Sequence, residues 1–203
     1  MLKKKISILD YGLGNQSSIK ASLLRLGYPN VIITKSKKIL ENSELLILPG
    51  VGNFEKAITN LKKNDLIKFL KKLIKEGLPT LGICLGLQIL FSKSEEAFAS
   101  KGLNLIKGNI FKLNKKNIGW HQIKTKKKNS LFSFLNNKFF YFNNSYALEA
   151  SNKYIHSISL NYEKIPVIIK SKNIIGVQFH PEKSQFSGDF FLKKILTNNY
   201  FYK

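Results

Sequence analysis

The feature that most constrains this chain is an alternation of short apolar runs with segments of helical period. Ile6–Leu9, Val31–Thr34, Leu45–Leu48 and Thr80–Ile83 are four-residue runs, too short for helices, each with a Lys, Asn or Pro on at least one side. Between them, residues 16–26 carry Ile19, Leu23 and Leu26 at helical spacing, with Gly27 as a stop. Helical patterns follow over residues 54–61 and 66–75, the latter closing at Gly77, and another helix starts over residues 86–91. Strand and helix in alternation predict an α/β fold of three layers: a mostly parallel central sheet with helices on both faces. Such sheets bind ligands beyond the carboxyl ends of their strands. Two turns lie at such ends, Pro49-Gly50-Val51-Gly52 and the one that contains Cys84.

The second half has a different pattern. Residues 110–113, 122–125, 139–142, 156–160, 167–170 and 174–178 are β-type runs separated by Asn, Lys or Gly, and residues 190–196 read as a final helix. These predict extra strands, partly antiparallel, on the same sheet. No Pro/Gly/Ser linker and no repeat divides the chain, so a single domain over 1–203 is expected.

Charge and cysteine count narrow the function. The formal net charge is +22, yet Arg25 is the one arginine among 34 basic residues. Base-edge and bidentate phosphate recognition favour arginine, and the lysines are spread along the chain. A solvated surface accounts for them, with a basic nucleic-acid-binding protein as an alternative. Lys-Thr-Lys-Lys-Lys at 124–128 is the densest run and reads as an exposed loop or strand end. One cysteine excludes a disulfide framework and a four-cysteine zinc site. The longest apolar stretches, 45–51 and 81–90, are too short to span a bilayer. Three lysines near the N-terminus precede no long apolar run, so no signal peptide is expected, and a cytoplasmic location follows.

Three segments carry candidate chemistry. In Gly82-Ile83-Cys84-Leu85-Gly86 a thiol stands between glycines, after a strand and before a helix. This suits a nucleophile elbow, in which a sharp turn lifts the side chain off the sheet and a helix N-terminus favours thiolate. An inert buried cysteine fits the residues equally well. In Gln178-Phe179-His180-Pro181-Glu182 a histidine at a strand end has a carboxylate two residues on, as an oriented imidazole needs, although a surface histidine in a turn also fits. Pro49-Gly50-Val51-Gly52 offers backbone amides to an oxyanion, although on its own an ordinary turn is the simpler reading. No Gly-Lys-Ser/Thr follows it, which argues against a phosphate loop.

Together, these segments and their order resemble the class I glutamine amidotransferases over almost the whole chain. Within that class the sequence looks like the glutaminase subunit of imidazole glycerol phosphate synthase. Asp10-Tyr11-Gly12-Leu13-Gly14-Asn15, Gly119-Trp120, Asn144-Ser145-Tyr146 and Glu182-Lys183-Ser184 add to the likeness. The resemblance implies Cys84 as nucleophile, His180 as base and Glu182 as its orienter. It implies backbone amides at Val51 and Leu85 as the oxyanion hole, and Gly50, Gly52, Gln88, Ser145 and Tyr146 at the glutamine. Asn15 and Trp120 would face a synthase (cyclase) subunit that receives the ammonia in a heterodimer, and the chain alone would be nearly idle. No metal or organic cofactor is implied.

Departures from the family pattern cluster away from the triad. Lys116-Asn117 stand where Pro-His is usual, His121 where Asn is common, and Asn144 where His is usual. They leave open a glutaminase feeding a sugar amidotransferase of surface-polysaccharide synthesis, and a cysteine hydrolase of esters or peptides shares the triad pattern. His121 and His156 are assigned structural roles, because their spacing makes no metal site.

Overall fold

A computed structural model describes residues 4–97, 99–126, 130–160, 164–198 and 200–202. The first half follows the expected alternation: β1 (Ile6–Leu9), α1 (Gln16–Arg25), β2 (Val31–Thr34), α2 (Lys37–Glu41), β3 (Leu45–Leu48), α3 (Phe54–Lys63), α4 (Leu66–Lys75), β4 (Thr80–Ile83) and α5 (Leu85–Gln88). Then come β5 (Lys93–Ser94), β6 (Gly108–Thr125), β7 (Phe139–Ala150), β8 (Ile155–Ser159), β9 (Pro166–Ser171), β10 (Ile174–Val177) and α6 (Gln185–Thr197).

The strands run in the order β2-β1-β3-β4-β10-β9-β8-β6-β5, with β7 paired to β6. From β2 through β10 every pair is parallel, and from β10 to β6 every pair is antiparallel. Apolar residues on both faces of β3 show why the sheet lies between helices. Leu45 and Ile47 join a core with Ile19 and Leu23 of α1 and Phe191 of α6. Leu46 and Leu48 join a second core with Phe54, Leu61, Leu70 and Leu85 from α3, α4 and α5. Period-two alternation thus divides a continuous apolar run between two layers.

Three expectations change. The runs at 110–113 and 122–125 are parts of one 18-residue strand, β6. The Asn/Lys stretch that separates them in the sequence is carried as strand, because β7 supplies antiparallel partners on both sides of a register shift between Lys112 and Asn117. The helix expected over 86–91 is a single turn, Leu85–Gln88, after which Leu90 and Phe91 close tighter i to i+3 bonds. The short α2 was not foreseen. Its five residues show little period, and buried Leu40 ties it to the core. Of the basic run, Lys124 and Thr125 end β6 and Lys126 is exposed, while 127 and 128 lie outside the described residues.

Candidate active site

The parallel strands end on one edge, where Val177 of β10 is in register with Ile83 of β4, and Leu48 of β3 with Gly82. Cys84, the next residue after β4, is 6% exposed and donates its N–H to Val177 O at 2.8 Å. The sharp bend falls on the cysteine itself, at φ 50 and ψ −109. A non-glycine residue there stores about 1–3 kcal/mol and persists because its surroundings enforce it. Neither flanking glycine has positive φ. Their role is close approach: a Cβ on Gly86 would stand 1.9 Å from Leu48 O, and one on Gly82 would stand 2.8 Å from Leu87 Cα.

The continuation of β10 brings the histidine to the same edge. Gln178 and Phe179 are fully buried, Phe179 stacking on Phe140 at 4.0 Å between centroids. His180 N donates to Tyr141 O at 2.9 Å, and Ser184 Oγ donates to His180 O at 2.6 Å while accepting from Tyr141 N. Pro181 opens a 3-10 turn that folds Glu182 back, so that Oε1 lies 2.9 Å from His180 Nδ1. Both side chains are 1% exposed. Burial disfavours the charged ring, but Cys84 and Glu182 outweigh it and push the pKa up to about 10. At neutral pH the imidazole is therefore charged, although Nε2 completes no hydrogen bond in this geometry. Glu182 holds the other ring nitrogen and so fixes which edge faces the thiol.

In front of Cys84 is a pocket of ≈ 170 Å³. Val51, Gly52 and Leu85 line it together with Gln88, Ser145 and Tyr146. Gly50 lies beneath it: a Cβ there would sit 2.3 Å from Gly86 N, so Gly50 lets the two turns touch. Leu87 and Gln88 donate their N–H groups to Cys84 O, leaving those of Leu85 and Gly86 without a helical acceptor. Tyr11 donates its hydroxyl to Pro49 O from beneath, with its pKa driven far up by burial first and by Cys84 second. Sequence reasoning missed Glu96, which lines the pocket and accepts from Asn53 Nδ2 at 2.8 Å and Phe54 N at 3.1 Å. A signal existed in Glu95-Glu96, adjacent carboxylates in a chain with 12 acidic residues.

Two of the departures from the family pattern are cross-strand partners. Asn117 on β6 faces Asn144 on β7, and Asn117 Nδ2 donates to Asn144 Oδ1 at 3.2 Å. Asn144 Nδ2 in turn donates to Tyr146 O at 2.9 Å. Asn15 stands at the N-cap position of α1 without a side-chain cap bond, and Trp120 is 43% exposed on β6 with its ring edge-on to Tyr141. His121 packs on Phe142, and His156 packs on Phe132 beside Ser130. Among the described residues no group of three or more His, Cys, Asp or Glu is placed to hold a metal. No helix among them is long and apolar enough to cross a membrane.

Residues 7–198 match the family model described as glutamine amidotransferase class-I. The chain is 41% identical over 199 residues to imidazole glycerol phosphate synthase subunit HisH of Lactococcus lactis subsp. lactis (strain IL1403), covering 95% of this chain and 98% of that protein. It is 36% identical to the HisH subunit of Aquifex aeolicus (strain VF5), covering 89% and 90%. Among solved structures, a glutamine amidotransferase superposes with a TM-score of 0.75 at 16% identity, covering 95% of this chain and 98% of that one. PurLQS from Thermotoga maritima superposes with a TM-score of 0.73 at 17% identity, covering 96% and 99%.

Proposed function

Because the chain belongs to the glutamine amidotransferase class-I family, and its HisH relatives match nearly end to end, we propose that it is the glutaminase subunit of an imidazole glycerol phosphate synthase in histidine biosynthesis. The observation that carries the chemistry is the buried His180–Glu182 pair at the end of β10, beside the strained Cys84 turn of β4 and its pocket.

The Cys84 thiolate attacks the side-chain carboxamide carbon of glutamine, and the carbonyl oxygen becomes an oxyanion. Leu85 N–H, with an amide of the 49–52 turn near Val51, holds that oxyanion, a donor of this kind contributing roughly a hundred- to thousandfold. His180 gives its proton to the departing nitrogen and ammonia leaves, producing a glutamyl thioester. The ring then takes a proton from water, hydroxide adds to the thioester carbon, and collapse breaks the bond to sulfur, restoring the thiolate and the charged ring while the product acid loses its proton to solvent and departs as glutamate. Glu182 keeps the ring aligned throughout and stabilises it whenever it is charged.

Glutamine occupies the wall formed by Gly52, Gln88, Ser145 and Tyr146, with Gly50 shaping it from below. The ammonia passes to a synthase (cyclase) subunit that makes imidazole glycerol phosphate and AICAR. That subunit docks in a heterodimer on the Asn15 and Trp120 side, in the cytoplasm. The exposed Trp120, Ile118 and Phe139 on the β6–β7 hairpin support a contact there.

The test is glutamate release by the purified chain, with and without a cyclase subunit and its nucleotide substrate. Little turnover alone and strong stimulation by the pair, abolished by Cys84→Ala, is the expected result. Turnover that depends on Cys84 but ignores the cyclase would move the acceptor to another synthase. The Asn117–Asn144 pair, where the family usually has two histidines, favours the sugar-amidotransferase alternative in that case.

A further inference from the structure

Gln178 is fully buried beside the nucleophile and Gln88 of the pocket. Its Nε2 is 3.5 Å from Cys84 Sγ, its Oε1 accepts from Gln88 Nε2 at 3.2 Å, and Gln88 Nε2 also donates to Tyr146 O at 3.3 Å. These contacts settle both amide orientations. A backbone carbonyl only accepts, so Gln88 must turn its NH2 to Tyr146 O. The same NH2 meets Gln178, which must therefore present its oxygen there and its N–H groups to the sulfur. A fixed donor at sulfur favours thiolate over thiol, because a hydrogen bond to a charged acceptor is the stronger one. The one-turn α5 makes this donor more important, since four residues supply only a small macrodipole.

We propose that Gln178 is a catalytic residue that donates a hydrogen bond to the Cys84 thiolate. It is aimed by Gln88, so that the pocket wall and the nucleophile share one amide relay. This rests on Cys84 being the nucleophile. The relay reaches further, through Tyr146 O to Asn144 and Asn117 on the β6–β7 hairpin. Gln178 is distinct from the triad: it moves no proton and sets how much thiolate is present before substrate arrives.

Cys84 is the sole cysteine, so alkylation by iodoacetamide reports on it without ambiguity. In the full chain, Gln178→Met is expected to slow alkylation at neutral pH about tenfold and to move its pH profile about one unit upward. The KM for glutamine, measured with the cyclase present, changes by less than about threefold. Gln178→Asn, which withdraws the amide by one methylene, shifts the profile in the same direction and serves if the Met variant does not fold. A wild-type alkylation profile in either folded variant overturns the proposal. Glutamate release that survives Cys84→Ala would instead overturn the reading on which it rests.

Discussion

The nucleophile turn after β4 and the turn at 49–52 after β3 end neighbouring parallel strands, yet they are held in different ways. The Cys84 turn is enclosed: backbone lies within 3 Å of where a Cβ would be on Gly82 and on Gly86. The 49–52 turn is anchored at one end only. Gly50 is wedged against Leu85 and Gly86, and Tyr11 holds Pro49 O, but Gly52 is exposed at φ 126 with Leu13 at 3.4 Å as its nearest neighbour. The comparison teaches that the thiol is held by close packing and by hydrogen bonds to Val177 and Gln178, while the amides proposed to hold the oxyanion stand on an arm with slack at its far end. That slack is the physical basis for the proposed idleness of the lone chain, and docking of the cyclase would remove it.

Gly86→Ala is the most severe way to break the enclosed turn. The new methyl has no room beside Leu48 O, so the loss is more than about 4 kcal/mol, or no soluble protein is recovered. Chemical denaturation of the purified variant measures it.

Glu182→Gln leaves packing intact and removes the carboxylate partner of His180. Stimulated kcat falls by about a hundredfold or more. The same variant tests a stability prediction. The ring pKa is raised from its ordinary 6.5 to about 10, so its contribution to stability is full below 6.5 and is lost as pH rises toward 10. Wild type should show that alkaline decline in thermal midpoint, and Glu182→Gln should make it shallower, the part due to Cys84 remaining. An equal slope in both proteins would mean that another group titrates.

Gly52→Ala probes the slack end with the smallest effect. There is space for the methyl, so only the φ of 126 is strained, which costs about 1–2 kcal/mol. Stimulated kcat drops by less than about tenfold and Cys84 alkylation is unchanged, because the nucleophile turn does not sense the far end. A slowed alkylation would show that the two turns move as one unit.

Local pattern made the first half legible. Strands β1 to β4 and helix α4 occur at the expected residues, since a four-residue apolar run or a helical stripe ending at glycine has few ways to bury itself. The antiparallel half was legible only in pieces. β6 crosses the polar stretch around Lys115 because β7 pairs with it, and no local signal encodes a partner 20 or more residues away.

At the site, the sequence by itself determined which residues had the right chemistry: a thiol between glycines, a histidine with a carboxylate two positions on, and glycines where turns approach. Tertiary structure alone decided what they touch. Register between β4 and β10 brings Cys84 to Val177, and with it Gln178, whose amide would pass in the sequence as one more strand-end polar residue. It also pairs Asn117 with Asn144, and it brings Glu96 to both the pocket and α3. The physical reason is that residue type and local period determine what a side chain is able to do, whereas hydrogen-bond direction and electrostatic surroundings arise only when distant strands are set in register and water is excluded between them.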